Sequence, residues 1–440
     1  MKIENKMNLG FSVIVSILLF IPLHSFAYSE GFVNCEIKDT TNDWSQDIIL
    51  SSNLSARSFS PAIAVNNDTV HLIWVDWEDI GTGGEKMYYR QSLDNGRSWG
   101  NITKVATDVD GYSLGICVNN NIIHTISSHW FEVYYKRSLD NGDNWGPDVL
   151  LSEDDGVFSW HPSVAVSGNT VHVVWDDEKD YGIFKAEIYY KRGLDNGSVW
   201  DDGQGNNAPR RLTFNEADSS KPLIAVNGST IHVVWSDRRL NNVYETFYKR
   251  SDDNGRTWTD DINITVSDNF HSGAMDIEVN EEKVYVVGRD ARWTSDGFTD
   301  YKIWFAKSED KGKTWSHLIY LVDHSTDGYY CDLPSITVGD SGLFVTFSDN
   351  RSGKPCIYLK YSADGAKWDD ELLLVEMGGA GIIRSQNSSL HLVFQRGING
   401  TPEVFYKRSP DFASNIALTT APNILTADGL STSIITATVT

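Results

Sequence analysis

The sequence predicts an all-β fold, a β-propeller of four-stranded blades set around a common axis, with seven blades as the first reading. Three observations carry this. One strand unit recurs seven times, and most copies are closed by a tight turn that runs from Asp through Gly to Trp. Aromatic residues make up 12% of the chain and glycines number 35, a composition suited to short strands joined by turns. A lone segment of fourth-strand character, Trp44-Ser-Gln-Asp-Ile-Ile-Leu50, stands ahead of the first repeat with no first three strands of its own.

Residues 1–27 read as an export signal. Lys2 and Lys6 open the segment, an apolar run extends from Leu9 to Leu23, and Ser25 and Ala27 place small residues before Tyr28. Pro22 and His24 interrupt the run, which falls short of a comfortable membrane span. No later segment is apolar for long enough to cross a bilayer, so a secreted or cell-surface protein is expected. Residues 28–43 form an N-terminal segment, and residues 44–414 hold the repeats.

Each repeat has an apolar strand, a second strand ending in an aromatic and often an Asp, a loop, a third strand of Tyr-Tyr-Lys-Arg type, a tight turn, and a fourth strand after a Trp. The third repeat shows the order: Pro162-Ser-Val-Ala-Val166, Val171-His-Val-Val-Trp175, Glu187-Ile-Tyr-Tyr-Lys191, then Gly193-Leu-Asp-Asn-Gly-Ser-Val-Trp200. The turn reads SLDNGRSW at 92–99, SLDNGDNW at 138–145, GLDNGSVW at 193–200, SDDNGRTW at 251–258 and SEDKGKTW at 308–315, with decayed copies at 362–368 and 409–412. Its chemistry is structural. The carboxylates of Asp94, Asp140, Asp195, Asp253 and Asp310 are expected to accept backbone N–H groups within the turn, Gly to supply positive φ, and Trp to pack on the sheet. A ring of blades must close, because an open one leaves unpaired edges. Trp44–Leu50 is expected to complete the last blade, and Asn415–Leu418 is the competing donor.

The chain carries 37 Lys+Arg against 60 Asp+Glu, a net charge of −23. Removal of the signal, with two Lys and one Glu, takes this to −24 (−23 − 2 + 1). Such a field repels nucleic acid and anionic lipid. Four cysteines do not make a disulfide scaffold. Cys331 and Cys356 share a repeat and are a possible pair, Cys117 reads as a buried thiol, and Cys35 has no evident partner.

The turns resemble the Asp-boxes, or BNR repeats, of the sialidase superfamily, over nearly all of residues 44–412. Sialidases have six blades, so six is the alternative count, although other propellers with such boxes differ in number. After the propeller, Thr426-Ala-Asp-Gly-Leu-Ser-Thr-Ser-Ile-Ile-Thr-Ala-Thr-Val-Thr440 looks like the opening of an invasin/intimin-type bacterial Ig-like domain. Residues 415–440 would then be a linker and an incomplete domain, part of a longer surface protein that offers a route to surface-protein partners.

Loops joining strands 2 and 3, and strand 4 to the next strand 1, share the face opposite the boxes, where a ligand would enter the central funnel. That face collects Arg57 and Phe59, then Tyr112, His129 and Trp130, then Trp160 and His161, then Asp237, Arg238 and Arg239. Arg289, Asp290, Arg292 and Trp293 follow, then Tyr329, Tyr330, Asp332, Arg351 and Arg396. Sugars stack on aromatic faces, and acidic sugars call for guanidinium forks.

The resemblance implies a Tyr nucleophile activated by Glu, an acid/base Asp, and three arginines on the substrate carboxylate. Tyr330 fits the nucleophile, Asp76 or Asp79 the acid/base, Glu216 the activating residue, and Arg238 or Arg239 with Arg289 or Arg292 the second and third arginines. Arg57, Arg351, Trp160 and Trp293 complete the expected substrate-binding set. The family's first arginine stands two residues before the Pro of the first inner strand, where this chain has Phe59, and Arg57 lies two residues too early. Recurrence of Arg after Asp in repeats four to six also suggests ion pairs bracing loops.

His71, His124, His172, His232 and His391 recur at one place in strand 2, which points to blade packing rather than to a metal site. No metal or cofactor is expected, with calcium in the acidic loops as a minor alternative. Three functions follow as expectations: a glycan-recognising surface propeller, an exo-α-sialidase or related exo-glycosidase, and a structural surface-layer component.

Overall fold

The computed structural model describes residues 44–410, apart from 52–56, 78–84, 108, 130, 180–184, 266–269, 295–296 and 399, together with strands Ile416–Ala421 and Ile434–Val439. No helix occurs among the described residues, and none is long and apolar enough to cross a membrane. The signal segment 1–27, residues 28–43 and Cys35 lie outside them.

Seven antiparallel sheets form a seven-bladed propeller, with the inner strand of each blade first in sequence. In blade 1 the order is Arg57–Asn66, Thr69–Trp77, Lys86–Ser92 and Thr103–Thr107. The inner strands of blades 2 to 7 are Asp110–Asn119, Ser159–Ser167, Ser219–Asn227, His271–Asn280, Cys331–Gly339 and Gly379–Gln386. Each touches the next, and that of blade 7 touches that of blade 1, so the ring is closed. The core lies between blades. Trp74 and Leu72 of blade 1, for instance, pack with Val393, Val404 and Tyr406 of blade 7.

Blade 7 takes its outer strand from the N-terminal side, as the lone fourth-strand segment predicts. Ile48 and Ile49 pair with Tyr406 and Phe405. Ser45 N donates to Arg408 O at 2.8 Å, and Leu50 N to Val404 O at 2.9 Å. Trp44 and Leu50 are buried at the two ends of this strand. Of the competing donor Asn415–Leu418, Asn415 lies outside the described residues and the rest belongs to the strand Ile416–Ala421, which pairs antiparallel with Ile434–Val439 in a separate two-stranded sheet.

Most Asp-turns are built as expected. Asp94 accepts Ser98 N at 2.7 Å and the Ser98 and Ser92 hydroxyls at 2.6 and 2.8 Å. Asp140, Asp253 and Asp310 repeat the pattern on Asn144, Thr257 and Thr314. Blade 3 departs from it. Gly193 replaces the serine, Asp195 itself adopts φ 48, and Ser198 N donates to the Asp195 backbone carbonyl, not the carboxylate. The outer strand there is split into Val199–Asp201 and Arg210–Arg211, and Arg192 forks onto Asp201 at 2.9 Å twice.

The recurrent histidines latch neighbouring blades. His71, His124, His172, His232 and His391 bond through Nδ1 to the hydroxyls of Tyr89, Tyr135, Tyr190, Tyr248 and Tyr406 at 2.7–2.8 Å. Each Tyr meets the Asp-turn of the following blade. Tyr89 donates to Asn141 O at 3.3 Å and takes Trp145 edge-on at 5.2 Å. Burial lowers the pKa of His71, His124 and His232 to about 4, and of His172 to about 3, so the latch holds neutral imidazole.

Cys331 and Cys356 do not pair, against the expectation. Both stand opposite Asp349, on the strands flanking it, and two strand spacings of about 4.8 Å exceed the reach of a disulfide. Cys117 is a free thiol in the inner strand of blade 2, its pKa pushed up by burial.

Candidate functional site

At the face opposite the Asp-turns, several inner strands enter through a β-bulge. Ser60, His161, Lys221 and Leu333, each followed by Pro, take φ values of 50, 46, 54 and 54, and Ala380 in blade 7 takes 53. The pairing register shifts at these same places. A left-handed residue ahead of Pro is disfavoured on steric grounds, and a bulge that persists there re-aims side chains at the mouth of the ring.

The bulge of one blade is met by the strand-2 residue just before the terminal Asp of the preceding blade. Asp176 accepts Lys221 N at 2.8 Å, Ser348 accepts Ala380 N at 3.2 Å, and Arg289 bonds Asp332 at 2.6 Å. Strand alternation separates these positions from the next residue along, which turns back into its own blade. Asp237, for instance, accepts the Trp235 indole at 2.9 Å and Ser219 Oγ at 2.9 Å.

The predicted arginines divide along this line. Arg239 bonds Asp237 and Asp261 at 2.6 and 2.7 Å and lies over Phe247. Arg351 bonds Asp349 over Tyr358, Arg396 bonds Asp47 over Phe394 and Phe405, and Arg292 pairs with Asp300 at 3.3 Å over Phe270. These four brace their own blades, as the recurrence of Arg after Asp in repeats four to six suggests for Arg239, Arg292 and Arg351.

Arg238 and Arg289 instead face a shared aromatic group. Arg238 lies over Tyr244 at 5.2 Å, and Arg289 lies 5.8 Å from Phe298 and 5.9 Å from Tyr301. His271 sits between, 5.7 Å from both Tyr244 and Phe298, and Trp293 extends the group edge-on to Phe298 at 4.7 Å. Burial first, and then the charges of Arg238 and Arg289, lower the His271 pKa. Tyr244 donates to Asp218 at 2.7 Å, and burial with this carboxylate pushes its pKa up to about 12.

Tyr330 joins the same region from blade 6. Its hydroxyl donates to Asp332 Oδ2 at 2.8 Å, the oxygen that also takes Arg289, and its ring meets Tyr301 edge-on at 4.8 Å. Burial and the Asp332 charge raise the phenol pKa, so the resting site holds Tyr330 protonated. Glu216 is exposed on the loop before blade 4, and the carboxylate on the Tyr330 hydroxyl is that of Asp332. Asp76 is buried and accepts the Trp74 indole at 2.8 Å, the role Asp177 and Asp237 fill for Trp175 and Trp235. Asp79 lies outside the described residues. Arg57 is exposed at the start of blade 1, and Phe59 packs on the core between blades 1 and 2. Trp160 stands beside His161 on the blade 3 bulge. Among the described residues no group of three or more His, Cys, Asp or Glu is placed to hold a metal ion.

A family profile described as a BNR repeat-like domain matches residues 130–392. The chain belongs to the BNR repeat-like family. No curated protein matches this BNR repeat-like chain in sequence. Among solved structures it is similar to a polysaccharide lyase described as an ulvan lyase, at 9% identity and TM-score 0.58 over 80% of this chain and 93% of that one. It is also similar to Trypanosoma rangeli sialidase in complex with sialic acid, at 12% identity and TM-score 0.44 over 93% of this chain and 58% of that one. An alpha-L-arabinofuranosidase from Fusarium graminearum matches at 11% identity and TM-score 0.46, over 84% of this chain and 94% of that one. At these identities the likeness speaks to the fold.

Sequence reasoning about this BNR repeat-like chain missed Asp176, Lys221, Tyr244, His271, Phe298 and Tyr301. A usable signal exists for Lys221, which precedes Pro222 just as His161 precedes Pro162. Tyr244, Phe298 and Tyr301 lie at the starts of third strands, where an aromatic reads equally well as core.

Proposed function

We propose that the chain is a secreted glycan-recognising propeller whose ligand carries a carboxylate, bound at the mouth over blades 4 to 6. The observation that carries this is that Arg238 lies over Tyr244 and Arg289 near Phe298 and Tyr301, in one aromatic group that His271 joins at 5.7 Å from both Tyr244 and Phe298 and Trp293 extends. The aromatic faces suit the C–H faces of a sugar ring, and the guanidinium groups suit its carboxylate. The names of the similar structures, a polysaccharide lyase and a sialidase, lend the reading support at the level of substrate class. The export signal at 1–27 belongs to this proposal, and N-terminal sequencing of the exported protein is expected to begin at Tyr28.

The test is binding to an array of neutral, sialylated and uronate-containing glycans. Carboxylated glycans are expected to bind, and Arg238→Ala and Arg289→Ala each to weaken binding by about tenfold or more. Preference for neutral glycans, undiminished in both variants, would overturn the proposal.

A second reading, exo-sialidase activity, is favoured by one arrangement: Tyr330 on the Asp332 carboxylate beside Arg289. Against it stand Phe59 at the position of the first arginine and the raised pKa of the phenol. Turnover of a fluorogenic sialoside that disappears in Tyr330→Phe would put this reading first.

A further inference from the structure

Outside the Arg238–Arg289 region, a second aromatic group runs over blades 2 and 3 on the same face. Phe131 stands at the tip of the blade 2 hairpin between strands 2 and 3, 41% exposed and at φ 74. Phe158 meets it edge-on at 4.3 Å, and Trp160 lies 5.4 Å from Phe158. At the inner end of this track is His161, its Nδ1 on the buried carboxylate of Asp176 at 2.9 Å. Asp176 also takes the backbone N–H of Lys221, whose side chain is exposed on the blade 4 bulge.

An aromatic track that is exposed at Phe131 and half-buried at Phe158 and Trp160, a carboxylate-oriented imidazole and an ammonium group together supply what a sugar residue uses: a stacking face, a hydrogen-bonding group for hydroxyls, and a charge for an acidic substituent. Apolar packing alone would not require Phe131 to stand at the tip in a strained backbone conformation. Blade 4 separates this track from the group around Trp293, and it contributes Lys221 on one side and Arg238 on the other. In a seven-bladed ring, blades 3 and 5 are separated by roughly 100° about the axis. A single sugar seated at Arg289 therefore leaves the track unused, whereas a chain of sugars crossing blade 4 engages both.

We propose that the mouth binds an extended carboxylated oligosaccharide, with Phe131, Phe158 and Trp160 as a second subsite and Lys221 as an intermediate charge contact. This rests on the function proposed above and adds the length and course of the ligand. A chain bound at several places gains affinity with each residue added until the track is filled.

The test is calorimetric titration of the full mature chain with two graded series, oligogalacturonates and α2,8-linked oligosialic acids, from disaccharide to hexasaccharide. In at least one series affinity is expected to rise by about tenfold or more with length. Trp160→Ala is expected to abolish that gain while leaving disaccharide binding intact, and Trp293→Ala to weaken every length. Lys221→Glu, a change at an exposed residue that does not threaten folding, is expected to reduce hexasaccharide binding alone. Equal affinity for all lengths overturns the inference, as does a hexasaccharide affinity unmoved by both Trp160→Ala and Lys221→Glu. In both of those cases a disaccharide that still depends on Arg238 leaves the function standing. No binding in either series refutes both.

Discussion

Gly312 in the Asp-turn of blade 5 has φ 79, and a Cβ built there would lie 1.8 Å from the Tyr248 hydroxyl. The glycine thus meets two demands, a left-handed backbone and a close approach to the His232–Tyr248 latch of blade 4. The two separate experimentally, because Gly156 has φ 74 with nothing within 4 Å of its added Cβ. Gly156→Ala is expected to lose about 1–2 kcal/mol from backbone strain alone. Gly312→Ala should lose a further 1–3 kcal/mol or so, because the rigid phenol cannot move without breaking its bond to His232. Urea denaturation of both variants measures the difference. Equal losses would mean that the turn does not rest on the neighbouring blade.

The latch is an element-scale device, and its histidines make it sensitive to acid. Their folded pKa values lie near 3 to 4, below the ordinary 6.5, so the unfolded chain binds more protons between those limits. Their contribution is complete above about pH 6.5 and is lost as pH falls toward 4. Asp310, pulled from 3.8 to about 2 by the Thr314 hydroxyl and N–H, loses its contribution only below that window. The thermal midpoint should therefore fall between pH 6.5 and 4, and His232→Gln, which removes an imidazole lowered to about 4, should flatten that segment of the curve while leaving the part well below pH 4 unchanged. An unaltered slope in the variant would remove the latch from the account. Latch and turn were legible in the sequence because each recurs at a fixed offset and is built from local contacts. The arginines were harder to read. Arg238 and Arg239 are neighbours, but strand alternation and the hairpin register send one toward the mouth and the other to Asp261, just ahead of the outer strand Ile262–Asn263. Cys331 and Cys356 failed for the same reason, since proximity in a repeat says nothing about which strand lies between. The aromatics Tyr244, Phe298 and Tyr301 could not be told from core residues in the sequence, because an aromatic near the start of a third strand reads equally well as core.

At the scale of the whole molecule, the ring depends on a strand separated from its blade by the rest of the propeller. Residues 44–50 cover the edge strand Thr401–Arg408, fill the seam with Trp44 and Leu50, and give Arg408 N a bond to Ser45 Oγ at 3.0 Å. Burying side chains of that kind contributes about 1.5–3 kcal/mol each, and an uncovered edge offers free N–H and C=O groups to other chains. The strand Ile416–Ala421 does not take that place and pairs with Ile434–Val439 in a separate two-stranded sheet. A chain starting at Ser51 should therefore melt several degrees lower and associate as its concentration rises. A synthetic peptide spanning residues 44–51, added in trans, should restore both the midpoint and the monomer. A scrambled peptide of the same composition should restore neither. Scattering and thermal melts of the three samples decide the matter, and a truncated chain that stays monomeric with an unchanged midpoint would show that closure rests on the inner strands alone.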